Sequence, residues 1–244
     1  MVEGRRARAE LFGGVATDYE RGRAFYPDEA VVWLLDGARK VVDVGAGTGK
    51  LTGALTEHAA EVVALEPQLQ MLLHLRPAAP SVLAACSLAE FLPVRSGWAD
   101  TVVVAQAFHW FDQKRAVREF RRILSAGGRL GLVWNVRDES VDWVAELSRI
   151  AGPENSMKTR ADLNRLSGFG DFEHRTWRTA QTMDRATLLA HVKSRSNVAA
   201  MTERDRKQVL EQVAGLFERH PALRDPETFE LPYQTHAYRA RMKS

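Results

Sequence analysis

The sequence has very little cysteine and no long hydrophobic run. Cys86 is the one cysteine among 244 residues, so an internal disulfide and a cysteine-based zinc site are excluded. We expect Cys86 to fill part of a strand core, where a free thiol behaves as a small apolar group. The longest apolar stretches have the length of a strand, so no transmembrane helix is predicted. No secretory-type apolar segment follows residues 1–6, and a cytoplasmic location is predicted.

A strong excess of charge of one sign is also lacking. Lysine and arginine number 34 and aspartate and glutamate 31, which gives a net charge of +3. Nucleic-acid-binding proteins usually concentrate a larger basic excess on one face, so neither nucleic acid nor a membrane is a predicted partner. The seven histidines form neither H-x-H nor H-E-x-x-H, so no metal is predicted.

Between residues 40 and 135, short apolar runs alternate with helical patterns. Runs that are apolar at every position are typical of strands buried on both faces of a parallel sheet. Their alternation with helices predicts an α/β fold. After residue 134 the pattern changes to helices with a strand over 172–182 and a final alternating strand over 229–238. The five runs are Val41–Val44, Val62–Leu65, Val82–Cys86, Thr101–Ala105 and Leu130–Trp134.

A glycine-rich turn follows the first apolar run. Asp43 lies in that run, and Gly45, Gly47 and Gly49 follow at alternate positions. Glycine allows a positive φ and lets a ligand approach the backbone, so a strand, such a turn and a helix together indicate a ligand site. An ordinary structural turn is the alternative.

Two ligand classes fit this turn poorly. A phosphate-binding loop needs G-x-x-x-x-G-K-[ST], but Val44 stands at the first glycine position and Leu51 at the hydroxyl position. A dinucleotide fingerprint needs G-x-G-x-x-G/A. Gly45 and Gly47 fit that pattern, whereas Lys50 occupies the third position, which weakens this interpretation without excluding it.

The remaining pattern, D-x-G-x-G-x-G after a buried strand, resembles motif I of class I S-adenosylmethionine (SAM)-dependent methyltransferases. The resemblance implies an α/β, Rossmann-like, seven-stranded, mostly parallel sheet with helices on both faces, a helical lid insertion and an antiparallel last strand. It implies SAM as the cofactor and S-adenosylhomocysteine (SAH) as the product. Asp43 would stand opposite the ammonium group, and the backbone of the turn would lie against the cofactor.

A second acidic residue supports a nucleoside-containing ligand. Glu66 comes directly after the second apolar run, 21 residues after Gly45. An acidic residue about 20 positions after the first glycine accepts hydrogen bonds from ribose hydroxyls in nucleotide sites. SAM and NAD share this ribose diol, so Glu66 indicates an adenosine ligand without choosing between them. A solvated carboxylate at a strand end is the alternative.

Further segments resemble a narrower group, the type 11 small-molecule methyltransferases similar to trans-aconitate methyltransferase. Two of them depart from the usual pattern, because Ala24 replaces a proline and Ser87 replaces a glycine in the segment beside adenine. Together they extend the resemblance over nearly the whole chain. The segments are residues 12–27, 86–93, 105–112, 132–138, 193–196 and 231–233.

The predicted cofactor residues fall at the carboxyl ends of strands, where ligands bind in open α/β sheets. By resemblance, Tyr19 and Arg23 would close over the methionine end, with Arg23 facing its carboxylate. The predicted cofactor-binding residues are Tyr19, Arg23, Asp43, Gly45, Ala46, Gly47, Thr48, Gly49, Glu66, Pro67, Ser87, Leu88, Ala89, Glu90, Gln106 and Ala107.

The acceptor is less well defined. Methyl transfer needs alignment and exclusion of water, and a base only where the acceptor is a protonated hydroxyl or amine. His109 is the candidate base, with a structural histidine as an equal alternative. No Asp/Asn-Pro-Pro-aromatic tetrapeptide of base-amino methyltransferases occurs, which argues against DNA as the substrate. The resemblance to the type 11 group implies O- or N-methylation of a small molecule, with an anionic acceptor as one form of the hypothesis. The predicted acceptor residues are His109, Trp110, Trp134, Asn135, Arg137 and Arg195.

Four segments with different roles are predicted. Residues 1–38 would form a helical segment covering the cofactor, 39–152 the SAM-binding core, 153–225 a helical lid and substrate region with one core strand, and 226–244 the last strand. A lid is expected because a closed site excludes water. A monomer or homodimer is predicted. An NAD-dependent oxidoreductase and a non-catalytic SAM-binding protein stay open as alternatives.

Overall fold

The computed structural model describes residues 25–152 and 160–243, so the predictions for Tyr19 and Arg23 lie outside the described residues. The chain divides into two compact units. The sheet unit contains Tyr26–Asn135, residues 160–177 and residues 235–243, and the helical unit contains residues 136–152 and Arg178–Gln234. The four predicted segments are defined by expected roles and stay a prediction.

Seven strands form one mixed, mostly parallel sheet, as expected. Their order is β3-β2-β1-β4-β5-β7-β6. β1 pairs in parallel with β2 and β4, β2 with β3, and β4 with β5. The strands are β1 (Lys40–Val44), β2 (Glu61–Leu65), β3 (Leu83–Ala85), β4 (Ala99–Ala105), β5 (Leu124–Arg137), β6 (Glu173–Asp184) and β7 (Thr228–Arg241).

Helices separate the first five strands and fill the segment between β5 and β7. No helix in the part of the chain that the structure describes is long and apolar enough to cross a membrane. The helices are α1 (Asp28–Leu35), α2 (Lys50–Thr56), α3 (Leu69–Ala78), α4 (Gln113–Ile123), α5 (Asp142–Ala151), α6 (Arg160–Leu163), α7 (Arg185–Ser194), α8 (Ser196–Ala199), α9 (Glu203–Arg219) and α10 (Pro221–Arg224), with a 3₁₀ turn at Phe108–Trp110.

β1 and β4 lie in the core of the sheet unit, because their apolar side chains are buried against the helices. Val41 and Val103 are fully buried and belong to one apolar cluster with Leu34 of α1 and Leu55 of α2. Complete burial of each such side chain contributes about 1.5–3 kcal/mol. This packing holds the carboxyl ends of β1 and β4, where the candidate site lies, in fixed positions.

The helical unit has a core of its own. Trp143 and Leu147 of α5, Val192 of α7 and Leu216 of α9 share one apolar cluster. Thr202 caps the start of α9, because its hydroxyl accepts a hydrogen bond from the backbone N–H of Asp205 at 3.2 Å. α7 and α8 follow each other closely and are separated by Arg195.

The expectation for Cys86 is wrong. Cys86 is exposed, because it lies one residue beyond β3, which is an edge strand of the sheet and only three residues long. An edge strand is paired on one side and is covered less than a central strand. The local apolar pattern does not distinguish these two positions.

Candidate functional site

Three glycines shape the turn between β1 and α2. Gly45, Gly47 and Gly49 have φ values of +75°, +57° and +91°, which other residues rarely adopt. A methyl group added to Gly45 would lie 2.7 Å from Cβ of Ala107, and one added to Gly49 would lie 2.7 Å from Cγ of Leu75. One added to Gly47 would meet no atom of the described residues within 4 Å. Packing therefore requires the outer two glycines, whereas the side of Gly47 is open.

Glu66 closes this turn from the carboxyl end of β2. Its Oε2 accepts a hydrogen bond from the backbone N–H of Gly47 at 3.0 Å, and its Oε1 accepts one from that of Gln68 at 3.1 Å. Burial raises the pKa of Glu66, and the two backbone hydrogen bonds act in the opposite direction. Each carboxylate oxygen accepts more than one hydrogen bond, so Glu66 can still receive ligand hydroxyls.

Asp43 is a fully buried carboxyl in β1. The hydroxyl of Thr52 donates to its Oδ2 at 2.6 Å, while its Oδ1 has no hydrogen-bond partner in the described part of the chain. Burial raises the pKa of Asp43 from 3.8 to about 7; the hydrogen bond from Thr52 lowers it, and the charge of Glu66 raises it further. A buried acceptor without a partner is costly, so Asp43 Oδ1 marks a place where a ligand donor is favoured.

The other residues of the turn differ in exposure. Thr48 is 3% exposed, and its Oγ1 also has no hydrogen-bond partner within the ranges described. Ala46 is half-buried, and its backbone N–H donates to the carbonyl of Leu65 at 3.1 Å. Pro67 is exposed. The turn therefore presents backbone and one buried hydroxyl.

Ser87 lies beside Glu66, because its backbone N–H donates to the Glu66 carbonyl at 3.3 Å. Its hydroxyl donates to the carbonyl oxygens of Phe91 at 2.7 Å and Leu88 at 3.1 Å. The residue that replaces the usual glycine therefore holds the turn after β3 together. Leu88 is 54% exposed and Ala89 is buried, so of these two Leu88 offers apolar surface to a ligand.

Glu90 connects the turn after β3 to the start of α4. Its Oε1 accepts a hydrogen bond from the backbone N–H of Asp112 at 2.6 Å. The side chain of Asp112 in turn caps α4 by accepting from the backbone N–H of Arg115 at 3.3 Å. Glu90 thus has a clear structural role, and its predicted position beside adenine stays a prediction.

The segment after β4 packs against the glycine turn and against β5. Gln106 has a left-handed φ of +55°, and its side-chain N–H donates to the backbone carbonyl of Asn135 at 2.8 Å. Asn135 is buried, and its Oδ1 accepts from the hydroxyl of Thr235 at 2.6 Å. Ala107 is the residue that leaves no room for a Cβ on Gly45.

His109 and Trp110 follow in the 3₁₀ turn. Their rings lie 4.6 Å apart between centroids and are tilted by 44°. His109 is half-buried, and Trp110 is 39% exposed. The contact with Trp110 restrains the imidazole of His109. This restraint is compatible both with a catalytic base and with a structural histidine.

Three further predicted acceptor residues, Trp134, Arg137 and Arg195, are buried. Trp134 is 1% exposed and packs its ring at 5.9 Å from that of Tyr238 in the sheet unit. In the helical unit, Arg137 is 2% exposed and its Nη2 donates to the carbonyl of Gly152 at 2.6 Å. Arg195 of that unit is 9% exposed and lies where α7 ends.

Within the sheet unit, predicted residues lie at the carboxyl ends of five parallel strands. Gly45 follows β1, Glu66 follows β2, Ser87 lies just beyond β3, Gln106 follows β4 and Asn135 lies in the last part of β5. Direct contacts connect Glu66 with Gly47 and Ser87, and Gln106 with Asn135. The roles assigned to these residues stay predictions.

One group in the described ranges has ligand atoms close enough for a metal ion. It consists of Asp28, Glu57 and His58, whose ligand atoms lie within 4.8 Å of one another. All three are exposed, and His58 Nε2 lies 2.5 Å from Asp28 Oδ1. Exposed acidic groups of this kind are common without a bound ion, so the group does not itself indicate a metal site. That the protein needs no metal stays a prediction.

Sequence reasoning missed two buried threonines that contact predicted residues. Thr52 contacts Asp43, and Thr235 contacts Asn135. A signal for Thr52 exists, because it is a polar residue between Leu51 and Leu55 on the apolar side of α2. No local signal marks Thr235, which lies 100 residues from its partner.

The relatives that resemble this chain in sequence are named methyltransferases. The methyltransferase domain family matches residues 42–132. An uncharacterized methyltransferase from Mycobacterium tuberculosis is 41% identical over 242 residues, which cover 98% of this chain and 99% of that protein. This similarity spans both the sheet unit and the helical unit.

Solved structures show the same fold. A proposed type II methyltransferase from Anaeromyxobacter dehalogenans aligns with a TM-score of 0.68 and 23% identity over 91% of this chain and 98% of that one. Phosphoethanolamine N-methyltransferase 2 from Haemonchus contortus, in complex with phosphomonomethylethanolamine and SAH, aligns with a TM-score of 0.51 and 14% identity over 89% of this chain and 53% of that one. At these identities the likeness is one of fold.

Proposed function

The chain belongs to the methyltransferase domain family, and from this membership we propose that it binds SAM at the glycine turn and moves a methyl group to an oxygen or nitrogen of a small molecule. The observation that carries the proposal is the buried carboxyl of Asp43, whose Oδ1 has no hydrogen-bond partner in the described part of the chain. A cationic donor is the ligand group that such an oxygen favours.

The residues present fit SAM. Asp43 would receive the ammonium group, Glu66 would receive ribose hydroxyls, and the open side of Gly47 would let the cofactor lie against the backbone. When bound, SAM supplies a methyl group on a positively charged sulfur. The fold neighbour from Haemonchus contortus holds SAH, which supports SAH and its methylated form SAM as ligands of this chain.

The chain's own part in the transfer is to bind, orient and exclude water. The hydrogen bonds of Glu66 to Gly47 and Gln68 fix the turn before the cofactor arrives. For a hydroxyl or amine acceptor, His109 would take the proton on a ring nitrogen. A carboxylate acceptor needs no base, and His109 would then only shape the site.

An anionic acceptor is the finer form of the proposal. Arg137 and Arg195 are buried guanidinium groups, and arginine pairs with carboxylates in two-point geometry. Arg137 also binds the Gly152 carbonyl at the end of α5, so part of its role is structural. A small-molecule acceptor, a cytoplasmic location and a monomer or homodimer complete the proposal.

Calorimetric titration tests the cofactor, and labelled methyl transfer tests the reaction. SAM and SAH should each bind at one site per chain, whereas NAD should not bind. Transfer of label from methyl-labelled SAM into a metabolite extract should then require the wild-type chain. Binding of NAD without SAM would favour an oxidoreductase, and SAM binding without transfer to any extract would favour a non-catalytic role.

A further inference from the structure

Thr52 holds one of the two oxygens of Asp43. It lies in α2, is fully buried, and its hydroxyl donates to Asp43 Oδ2 at 2.6 Å. A carboxyl held at one oxygen cannot turn freely about its last bond, so the direction of the other oxygen is fixed as well. That other oxygen, Oδ1, has no hydrogen-bond partner in the described ranges.

We propose that Thr52 is a positioning residue for the cofactor: it orients the Asp43 carboxyl and favours its ionised form, so that Oδ1 is ready to accept a hydrogen bond from SAM or SAH. The inference rests on the proposed function, since it assumes that these ligands bind at the glycine turn. It adds a residue that neither the glycine motif nor the predicted site contains.

The environment of Asp43 makes the hydroxyl matter. Burial raises the pKa of Asp43 to about 7, and the Thr52 hydrogen bond opposes that rise. The negative charge of Glu66 raises the pKa of Asp43 further. The residues paired with Asp43 on the neighbouring strands, Ala64 and Val103, are apolar and carry no charge. Near neutral pH Asp43 therefore exchanges between its protonated and ionised forms in the free protein, and a cationic ligand selects the ionised form.

A pH dependence of cofactor affinity follows. Above pH 7 Asp43 is ionised before the ligand arrives, and affinity does not depend on its titration. Below pH 7 a proton must leave on binding, so SAH affinity should fall about tenfold per pH unit. Without the Thr52 hydroxyl the pKa of Asp43 should rise by about one unit, because a hydrogen bond to the ionised form is lost.

The alternative is that Thr52 only packs α2 against β1. Three variants separate the two roles. Thr52→Val keeps the shape and removes the hydroxyl, whereas Thr52→Ser keeps the hydroxyl and removes a methyl group. Thr101→Val is a matched control, because Thr101 of β4 is also fully buried and its hydroxyl has no hydrogen-bond partner in the described part of the chain.

The experiment is calorimetric titration of the full chain with SAH between pH 5.5 and 8.5. Comparison between variants cancels the titration of SAH itself. In Thr52→Val the midpoint of the affinity profile should move up by about one pH unit, with binding about fivefold weaker at pH 7. Thr52→Ser and Thr101→Val should keep the wild-type midpoint.

The affinity profiles of the variants distinguish the positioning role of Thr52 from a packing role. A wild-type midpoint in Thr52→Val overturns the positioning role, as does a Thr52→Ser midpoint shifted as far as that of Thr52→Val. Wild-type protein that binds no SAH at any pH overturns the proposed function instead. If Thr52→Val does not fold, as judged by circular dichroism, Thr52→Ala replaces it, because it also lacks the hydroxyl.

Discussion

Substitution of Gly47 by alanine should remove cofactor binding and leave the fold intact. The added methyl group would meet no atom of the described chain within 4 Å, so the free protein has room for it. The remaining cost is the left-handed φ of +57°, which for a residue with a Cβ is about 1–2 kcal/mol. The methyl group would, however, occupy the open side of the turn, where we propose that the cofactor lies.

Two other glycines provide matched controls. Gly53 of α2 has open space around it and no positive φ, so Gly53→Ala should raise stability by up to about 1 kcal/mol through helix propensity. Gly45→Ala should instead lose several kcal/mol, about 3 or more, because its Cβ would lie 2.7 Å from that of Ala107. Urea unfolding measures the three stabilities, and calorimetry with SAH measures binding.

The three glycine variants should differ in both stability and SAH binding. Gly47→Ala should unfold at a slightly lower urea concentration than wild type and bind no SAH, while Gly53→Ala should bind normally. Wild-type SAH affinity in Gly47→Ala would show that the turn is only structural. A stability loss as large as that of Gly45→Ala would show that the space beside Gly47 is filled.

Three further substitutions test other parts of the site. Burial raises the pKa of Asp43 from 3.8 to about 7, so the folded state favours the protonated form. As pH rises from 4 to 8, the free wild-type protein should therefore lose about 4 kcal/mol of stability relative to Asp43→Asn, measured by urea unfolding. Parallel pH profiles of the two proteins would contradict this. Glu66→Ala should weaken SAH binding about ten- to a hundredfold through loss of charge-assisted hydrogen bonds, and unchanged calorimetric affinity would remove Glu66 from the site. Arg195→Ala should keep SAH affinity and lower turnover with the true acceptor, so wild-type kinetics would exclude Arg195 from acceptor binding.

The central strands could be predicted from the sequence, whereas the start of β5 and the exposure at the edge strand β3 could not. Most residues of β1 and β4 are apolar because both faces of these strands are covered, and this pattern is local. β5 begins at Leu124, six residues before the run at Leu130, because its first part pairs with β4 through an irregular register near Ala99. Exposure of Cys86 likewise depends on the place of β3 at the sheet edge.

The candidate site divides in the same way. Spacing placed Glu66 near the glycine turn, and its hydrogen bond to Gly47 shows that contact. Spacing could not reveal Thr52, since its contact with Asp43 depends on how α2 is rotated on the sheet. Nor could it reveal Thr235, since its contact with Asn135 exists only because β7 lies next to β5.

The charges of the turn favour a cationic ligand over an anionic one. Asp43 and Glu66 are both buried, burial raises the pKa of each, and their mutual repulsion adds to the rise for Asp43. An approaching ammonium or sulfonium group would relieve that repulsion, whereas the two negative charges of a dinucleotide pyrophosphate would increase it. Lys50 stands where the dinucleotide pattern needs a glycine for close packing of helix and strand. The buried carboxyls of Asp43 and Glu66 would in addition repel the pyrophosphate of a dinucleotide. These are independent physical reasons, and both favour SAM over NAD at this turn.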